Sequence, residues 1–357
     1  MRTALFTTLL LAVAPAALAQ APDEPPDTTI DAATRTRVID GVLRHLDAGY
    51  IFPDKAAEMA RAVRQYERSG RYDRLGKAQS FTRALTQDLQ SVSRDRHLEV
   101  VYMKGEVPDE LPDAEPSPDE RRAREQLGKR VNYGFEKVER LDGNVGYLEI
   151  RSFNFTAAMV DSTLAAAMTF LASTDALIVD VRRNGGGEPE MVAAVCSYLL
   201  PANRLINKFY WRPQNRWDEF RTSQVTGRHY GTTRPVYVLT SDGTFSGAEE
   251  FAYDLQTQRR GEVVGDTTGG GAHPGGLRRV TDHFGVWLPS GRAVNPVTGK
   301  NWEGTGVRPD VPVPASEALR TAHLRALQRL LAAEQDAERR MLLQRAIGQV
   351  SRAAPTS

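Results

Sequence analysis

Apolar side chains at Val38, Ile39, Val42, Leu43 and Leu46 recur at the 3.6-residue period, and two further runs, Met59, Val63, Tyr66 and Phe81, Leu85, Leu89, repeat it. Each run makes one helix face that needs covering, so residues 31–104 are expected to form an N-terminal helical domain. Near Tyr102 the pattern changes to that of a short strand. Residues 105–126 then break it with Pro, Asp and Glu and read as an acidic, proline-rich linker.

Beyond the linker, short apolar runs alternate with helical periods. Val145–Ile150 and Ala176–Val181 read as buried strands, with a helix near residues 157–171 between them and another from Pro189 to Leu200. Val236, Val238 and Leu239 begin a third strand, Gly261–Gly265 and Phe284–Leu288 two more. The alternation predicts an α/β domain of βαβ units on a largely parallel sheet over residues 127–315. A C-terminal helical segment is expected over 316–350, with a tail at 351–357. The run Phe209-Tyr-Trp-Arg-Pro-Gln-Asn-Arg-Trp217 is read as a groove wall or loop.

At the start, Arg2, the apolar run from Ala4 to Ala14 and Ala17-Leu-Ala19 have the three regions of a secretory signal peptide, residues 1–19. A periplasmic or secreted protein is expected, with a disordered leader over residues 20–30. No later run approaches the roughly 20 apolar residues of a membrane span. Lys plus Arg number 46 against 45 Asp plus Glu, without a basic block, so nucleic acid is not an expected partner. The single cysteine, Cys196, cannot form an internal disulfide.

Candidate chemistry gathers at Pro235–Gln256, where a strand meets the turn Ser241-Asp-Gly-Thr244 and then a helix bearing Ala248, Phe251, Ala252 and Leu255 on one face. Ser246 therefore stands at a helix start, where unpaired N–H groups and the positive dipole end stabilise an oxyanion. The same Ser246-Gly-Ala-Glu249 fits a capping box, which needs no chemistry at all. Gly185-Gly186-Gly187 is no phosphate loop, because no Gly-Lys-Ser/Thr follows and Glu190 stands where a dinucleotide motif needs glycine. Scattered histidines and the absence of His-Glu-x-x-His or paired cysteines give no metal site, and no cofactor is expected.

Asp180-Val-Arg-Arg-Asn-Gly-Gly-Gly187, Thr240-Ser-Asp-Gly-Thr-Phe-Ser246-Gly-Ala-Glu-Glu-Phe, Gly265-Asp-Thr-Thr-Gly-Gly-Gly-Ala-His-Pro274 and Trp302-Glu303-Gly-Thr-Gly-Val-Arg-Pro-Asp310 follow one another in an order that resembles the S41 family of serine peptidases. Tyr50-Ile-Phe-Pro53 and Asn132-Tyr-Gly-Phe135 extend the likeness over nearly all of the chain after residue 19. It is closest in look to the branch of the interphotoreceptor retinoid-binding protein and its bacterial relatives, with tail-specific and tricorn proteases more distant. The resemblance implies a ClpP/crotonase-like core, Ser246 as nucleophile, and an oxyanion hole of the Gly186 and Gly247 N–H groups.

The chain departs from the tail-specific pattern where Gly271 takes the place of the lysine base, and the linker region is too short for a PDZ domain. Against the tricorn pattern, Arg96-His97 replaces Ser-His, and Glu303 matches the acid. His97 is the expected base, with Glu303 orienting it directly or across another side chain; His273 in the glycine-rich loop is the alternative. An unperturbed imidazole would make activity fall as pH drops through about 6.5. The resulting expectation is an exported peptidase hydrolysing peptides through an acyl-enzyme on Ser246. The alternative is a non-catalytic binding protein for an apolar ligand or peptide on the same fold.

Overall fold

The computed structural model describes residues 27–108 and 117–352, so the signal-peptide stretch, most of the leader and the end of the tail lie outside the described residues. Three helices come first: α1 (Ala32–Gly49), α2 (Pro53–Arg68) and α3 (Ala78–Ser93), then strand β1 (Glu99–Tyr102). Asp31 caps α1 by accepting the Thr34 N–H at 2.7 Å, and Pro53 opens α2, where its missing N–H costs nothing. After α4 (Pro118–Arg130) come β2 (Phe135–Leu141), β3 (Val145–Ile150), α5 (Ala157–Leu171), β4 (Ala176–Asp180), α6 (Pro189–Ser197), β5 (Leu205–Trp211) and β6 (Arg216–Arg221). The chain continues through β7 (Val236–Thr240), α7 (Gly247–Thr257), β8 (Glu262–Gly265), β9 (Gly275–Arg279), β10 (Phe284–Pro289), β11 (Gly291–Val294), β12 (Val311–Pro312), α8 (Ala315–Ala333) and α9 (Ala337–Arg352).

The central sheet has the order β12-β8-β7-β4-β3-β2, parallel from β12 to β3, with β2 antiparallel at its edge. Both faces are covered, which is why its middle strands read as unbroken apolar runs. Leu177 and Val179 pack with α5, α6 and α7, while Ile178 packs with Ala322, Ala326 and Leu327 of α8. Among the described residues no helix is long and apolar enough to cross a membrane.

Four expectations need correction. The helical part is not closed on itself: Phe284, Val286 and Leu288 of β10 belong to the core of α1–α3, and β10 pairs with both β1 and β9. Leader residues 27–30 are held, since Thr28 accepts the Ala78 N–H at 2.9 Å and buried Ile30 donates its N–H to Gly76 at 3.0 Å. The acidic linker stops at Ser117, whose capping box with Glu120 starts α4, so its carboxylates complement a helix dipole rather than extend a coil. The aromatic and basic run at 209–217 is the tip of the β5–β6 hairpin, paired on its other edge with β11.

β7 and β8 end side by side, and the loops leaving their carboxyl ends form the site. Gly265 closes β8 with φ at 138°, and a Cβ there would stand 2.1 Å from the Thr240 carbonyl oxygen. Gly265→Ala is expected to destabilise the fold by about 1–3 kcal/mol in urea unfolding, the cost of a side chain in such a conformation. An unchanged midpoint would mean that the two strand ends have room the structure does not give them.

Candidate active site

Local hydrogen bonds force the turn after β7 into shape. Thr244 Oγ1 donates to the Val181 carbonyl at 2.9 Å, Ser241 Oγ to that of Arg182 at 2.5 Å, and the Phe245 N–H to that of Asn184 at 3.1 Å. The turn is thus stitched to the loop that follows β4. Ser246 emerges half-buried at the N-cap of α7 with φ 51° and ψ −121°, a region non-glycine residues rarely enter. The predicted capping box with Glu249 forms, the Ser246 N–H donating to Glu249 Oε2 at 2.8 Å.

That carboxylate does more than cap. It also accepts the Gly270 N–H at 2.6 Å, the Gly271 N–H at 2.8 Å and the Thr268 hydroxyl, tying the loop after β8 to the serine turn. Burial pushes its pKa up to about 7, against the pull of these four donors.

The glycine loop comes against the serine at bare backbone. A Cβ on Gly186 would lie 2.6 Å from the Gly247 nitrogen and 2.7 Å from Ser246 Cβ, and one on Gly247 would lie 3.1 Å from the Gly187 nitrogen. The expected Gly186 donor is engaged elsewhere, however: its N–H donates to Asn184 Oδ1 at 2.8 Å. Gly187 differs, because its bridge to Phe153 is made by the Gly186 carbonyl and the Glu188 N–H, leaving the Gly187 N–H without an acceptor among the described residues. Gly247, first residue of α7, has no intrahelical partner for its N–H either.

Both histidines reach this end of the sheet. The His97 ring lies against Phe245, 4.6 Å between centroids, and a Cβ on Gly271 would strike both Phe245 Cζ at 2.2 Å and His97 Cε1 at 2.6 Å. The space a side chain at 271 would enter is therefore taken by these two rings. His97 Nδ1 is buried without a hydrogen-bond partner, and burial lowers the ring's pKa to about 4. Arg96, which stands where the tricorn pattern has serine, donates to the Gly269 carbonyl at 2.9 Å and lies over the Phe245 ring.

His273 belongs to a separate buried chain of groups. Its Nδ1 lies 2.9 Å from Asp95 Oδ2 and 3.4 Å from Glu303 Oε2. Asp95 Oδ2 also accepts the Tyr50 hydroxyl at 3.1 Å, and Asp95 Oδ1 the His97 backbone N–H at 3.0 Å. Glu303 accepts the Ala272 N–H at 2.6 Å, and its pKa is raised to about 9 by burial and by the charge of Asp95. Glu303 thus meets His273, and the path from it to His97 runs across His273 and Asp95. No hydrogen bond joins Ser246 Oγ to either imidazole among the described residues. The ligand atoms of Asp95, His273 and Glu303 lie within 4.8 Å of one another, a spacing a metal ion could use. Their bonds to one another, Tyr50 and Ala272 account for the arrangement without one.

Asp95, Tyr50 and Gly187 were not singled out by the sequence. Asp95 had a readable signal in Asp95-Arg-His97, since Asp commonly accepts the N–H two residues on, and Tyr50 was visible only as part of a family motif. Deeper on α7, Glu250 and Asp254 are fully enclosed, each with an oxygen lacking a partner; burial pushes Glu250 up to about 8 and Asp254 also upward.

Comparison with known proteins places these loops in context. The profile of "Peptidase family S41" matches residues 144–313, and that of the "N-terminal domain of Peptidase_S41 in eukaryotic IRBP" matches residues 32–138. The chain is 26% identical over 182 residues to the chloroplastic carboxyl-terminal-processing peptidase 1 of Arabidopsis thaliana, covering 50% of this chain and 36% of that protein. It is also 26% identical over 180 residues to a carboxy-terminal-processing protease of Bartonella bacilliformis, covering 49% of this chain and 40% of that one. These curated relatives are matched over well under half their length. A crystal structure of a candidate peptidase from Parabacteroides merdae shares the fold at 18% identity, with a TM-score of 0.53 over 88% of this chain and 96% of that one.

Two outcomes follow from the geometry. Ser246→Gly removes the hydroxyl and the positive-φ strain together; relief of about 1–3 kcal/mol, less the extra unfolded-state freedom of glycine, should leave the variant about 1 kcal/mol more stable in urea unfolding. Loss of stability would show that the turn is unstrained. The raised carboxyl pKa values mean that the native state binds extra protons, so the stability from Glu249, Glu250 and Glu303 is full below their ordinary value of 4.5 and is lost as pH rises through about 7 to 9. His97 acts oppositely, its contribution present above 6.5 and lost as pH falls through about 4. Thermal melts should therefore show the melting temperature falling from about pH 6 to pH 9, and a rise over that range would contradict the burial of these acids.

Proposed function

The chain belongs to peptidase family S41, and we propose that it is an exported serine peptidase that cleaves peptide bonds through an acyl-enzyme on Ser246. The observation that carries this reading is the strained, half-buried Ser246 lying against the acceptor-free N–H groups of Gly187 and Gly247, with the His97 ring packed on its sequence neighbour Phe245. A hydroxyl at that point can attack a carbonyl whose oxygen lies between the two N–H groups, in the positive field of the α7 N-terminus.

In this mechanism His97 takes the Ser246 proton as the C–O bond forms and the carbonyl π electrons move onto oxygen. It then gives that proton to the departing amine as the C–N bond breaks. Water, deprotonated by the same imidazole, releases the peptide acid and restores Ser246. An oxyanion hole of this kind contributes about 10²–10³ in rate per donor, and a general base about 10²–10⁴. Asp95 pins the His97 backbone, while His273, itself met by Glu303, braces Asp95. The role given to Gly186 passes to Gly187, since the Gly186 N–H already has an acceptor.

The His273 Nδ1 bond to Asp95 is one a triad histidine also makes, so His273 is set second as the base because its ring packs on Phe52, whereas the His97 ring packs on Phe245, next to Ser246. His97, depressed by burial to about 4, is neutral and able to accept a proton far below the 6.5 of a free imidazole. The acid limb of kcat/KM is therefore expected near pH 4. Export rests on the Arg2, apolar and Ala17-Leu-Ala19 series. No observation favours the apolar-ligand carrier.

Intact-mass analysis after fluorophosphonate treatment should show one adduct, mapped to Ser246 and absent from Ser246→Ala. Among base candidates, His97→Ala is expected to lose about 10²–10⁴ in kcat/KM on a cleaved peptide or ester. His273→Ala should retain a shallower activity that tracks its lower stability. No adduct on well-folded protein would overturn the peptidase reading; full activity in His97→Ala would overturn the base assignment alone.

A further inference from the structure

At the other end of the central sheet, the amino ends of β7 and β8 and the facing side of α8 enclose a cavity of ≈ 750 Å³ lined by Arg234, Arg259, Arg260, Arg325 and Arg329. Buried or half-buried cations are ordinarily matched by carboxylates. Of these five only Arg234 and Arg260 are half-buried, and among the described residues only the exposed Arg325 has a carboxylate partner, Glu262. Arg234 donates to the carbonyls of Ala172 at 2.8 Å and Thr174 at 2.7 Å and stacks on Tyr230. Arg260 donates to those of Leu199 at 2.6 Å, Arg234 at 3.0 Å and Gly231 at 2.7 Å. Carbonyls fix these two guanidiniums without neutralising them, and burial, together with the charge of Arg234, lowers the pKa of Arg260 to about 10. Exposed Arg259 and Arg329 make no ion pair among the described residues. The remaining wall carboxylate, Asp310, already accepts the Val263 N–H at 2.8 Å.

We propose that this cavity is a binding site for a small multivalent oxyanion of the phosphate-ester type, held by the exposed Arg259 and Arg329 above the carbonyl-anchored Arg234 and Arg260. The exposed planar forks of Arg259 and Arg329 suit phosphate oxygens, and Arg234 and Arg260, whose N–H groups already donate to carbonyls, add unneutralised positive charge beneath them, which favours an anion of more than one charge. Thr232 and Thr233 on the rim add hydroxyl and backbone donors. The site is distinct from the catalytic loops, which leave the opposite ends of the same two strands. Binding here braces β7 and β8 without touching Ser246.

Pyrophosphate tests this with the whole mature protein, by calorimetry and thermal melts against chloride at matched ionic strength. One equivalent should bind, and the melting temperature should rise by several degrees more than chloride raises it. Arg259→Gln with Arg329→Gln, a pair that leaves the carbonyl-anchored arginines in place, should weaken binding by about tenfold or more while the unliganded melting temperature stays put. Co-sedimentation with phosphatidate vesicles, whose headgroup is a phosphomonoester, reversed by pyrophosphate, would assign the anion to a lipid headgroup, and its absence to a soluble ester. Equal effects of chloride and pyrophosphate, or undiminished binding by the double variant, would overturn the proposal.

Discussion

One buried carboxylate, that of Glu249, holds together everything that makes the serine turn unusual. It accepts from the Ser246 N–H in the loop after β7 and from Thr268, Gly270 and Gly271 in the loop after β8. Neither loop has regular structure to hold its shape, and N–H groups buried without acceptors cost roughly 1–3 kcal/mol each. Glu249 relieves three of them at once and fixes the distance between the serine turn and the glycine-rich loop after β8, against which the His97 ring packs. The glycines follow from that closeness. Gly271 leaves room for His97 and Phe245, Gly186 lets the glycine loop lie on Ser246, and Gly265 lets β8 end against Thr240.

This arrangement stores unfavourable energy where chemistry is proposed. Ser246 has a strained backbone, His97 has a buried nitrogen without a partner, and Glu303 has an oxygen in the same condition. Such costs persist only if the rest of the fold supplies more stability than they remove, and the doubly covered sheet with its apolar strands is that source. Catalytic geometry and fold stability are therefore set by different parts of the chain, joined at the ends of β7 and β8.

Much of this was legible in the pattern of residues. Periodicity located the first three helices and the strands at 145, 176 and 236, because each buries one clear face or both. It did not locate what depends on distant partners. β10 enters the core of the helical part by pairing with β1 across just over half the chain, and nothing local to Phe284–Leu288 says so. The β5–β6 hairpin carries charge on an exposed strand, Arg216-Trp-Asp-Glu-Phe-Arg221, and so resembled a loop; α4 was masked by acidic residues that in fact sit at its positive end. In the site, Ser246 and the glycines could be read from the strand, turn and helix spacing. Choosing Gly187 over Gly186 could not, because it depends on which way one peptide plane faces once Asn184 has taken the Gly186 N–H. Asp95 escaped notice for a similar reason: beyond its local bond to the His97 N–H, its partners Tyr50 and His273 come from distant segments.

The central claim is a single geometry: nucleophile Ser246, oxyanion donors Gly187 and Gly247, and base His97. A crystal structure of the protein with a peptide boronic acid tests all of it together. The account predicts boron bonded to Ser246 Oγ, one boronate oxygen within hydrogen-bond distance of both the Gly187 and Gly247 nitrogens, and the other facing the His97 ring. A boronate attached elsewhere, or an oxygen held by the Gly186 nitrogen with His97 turned away, would contradict it.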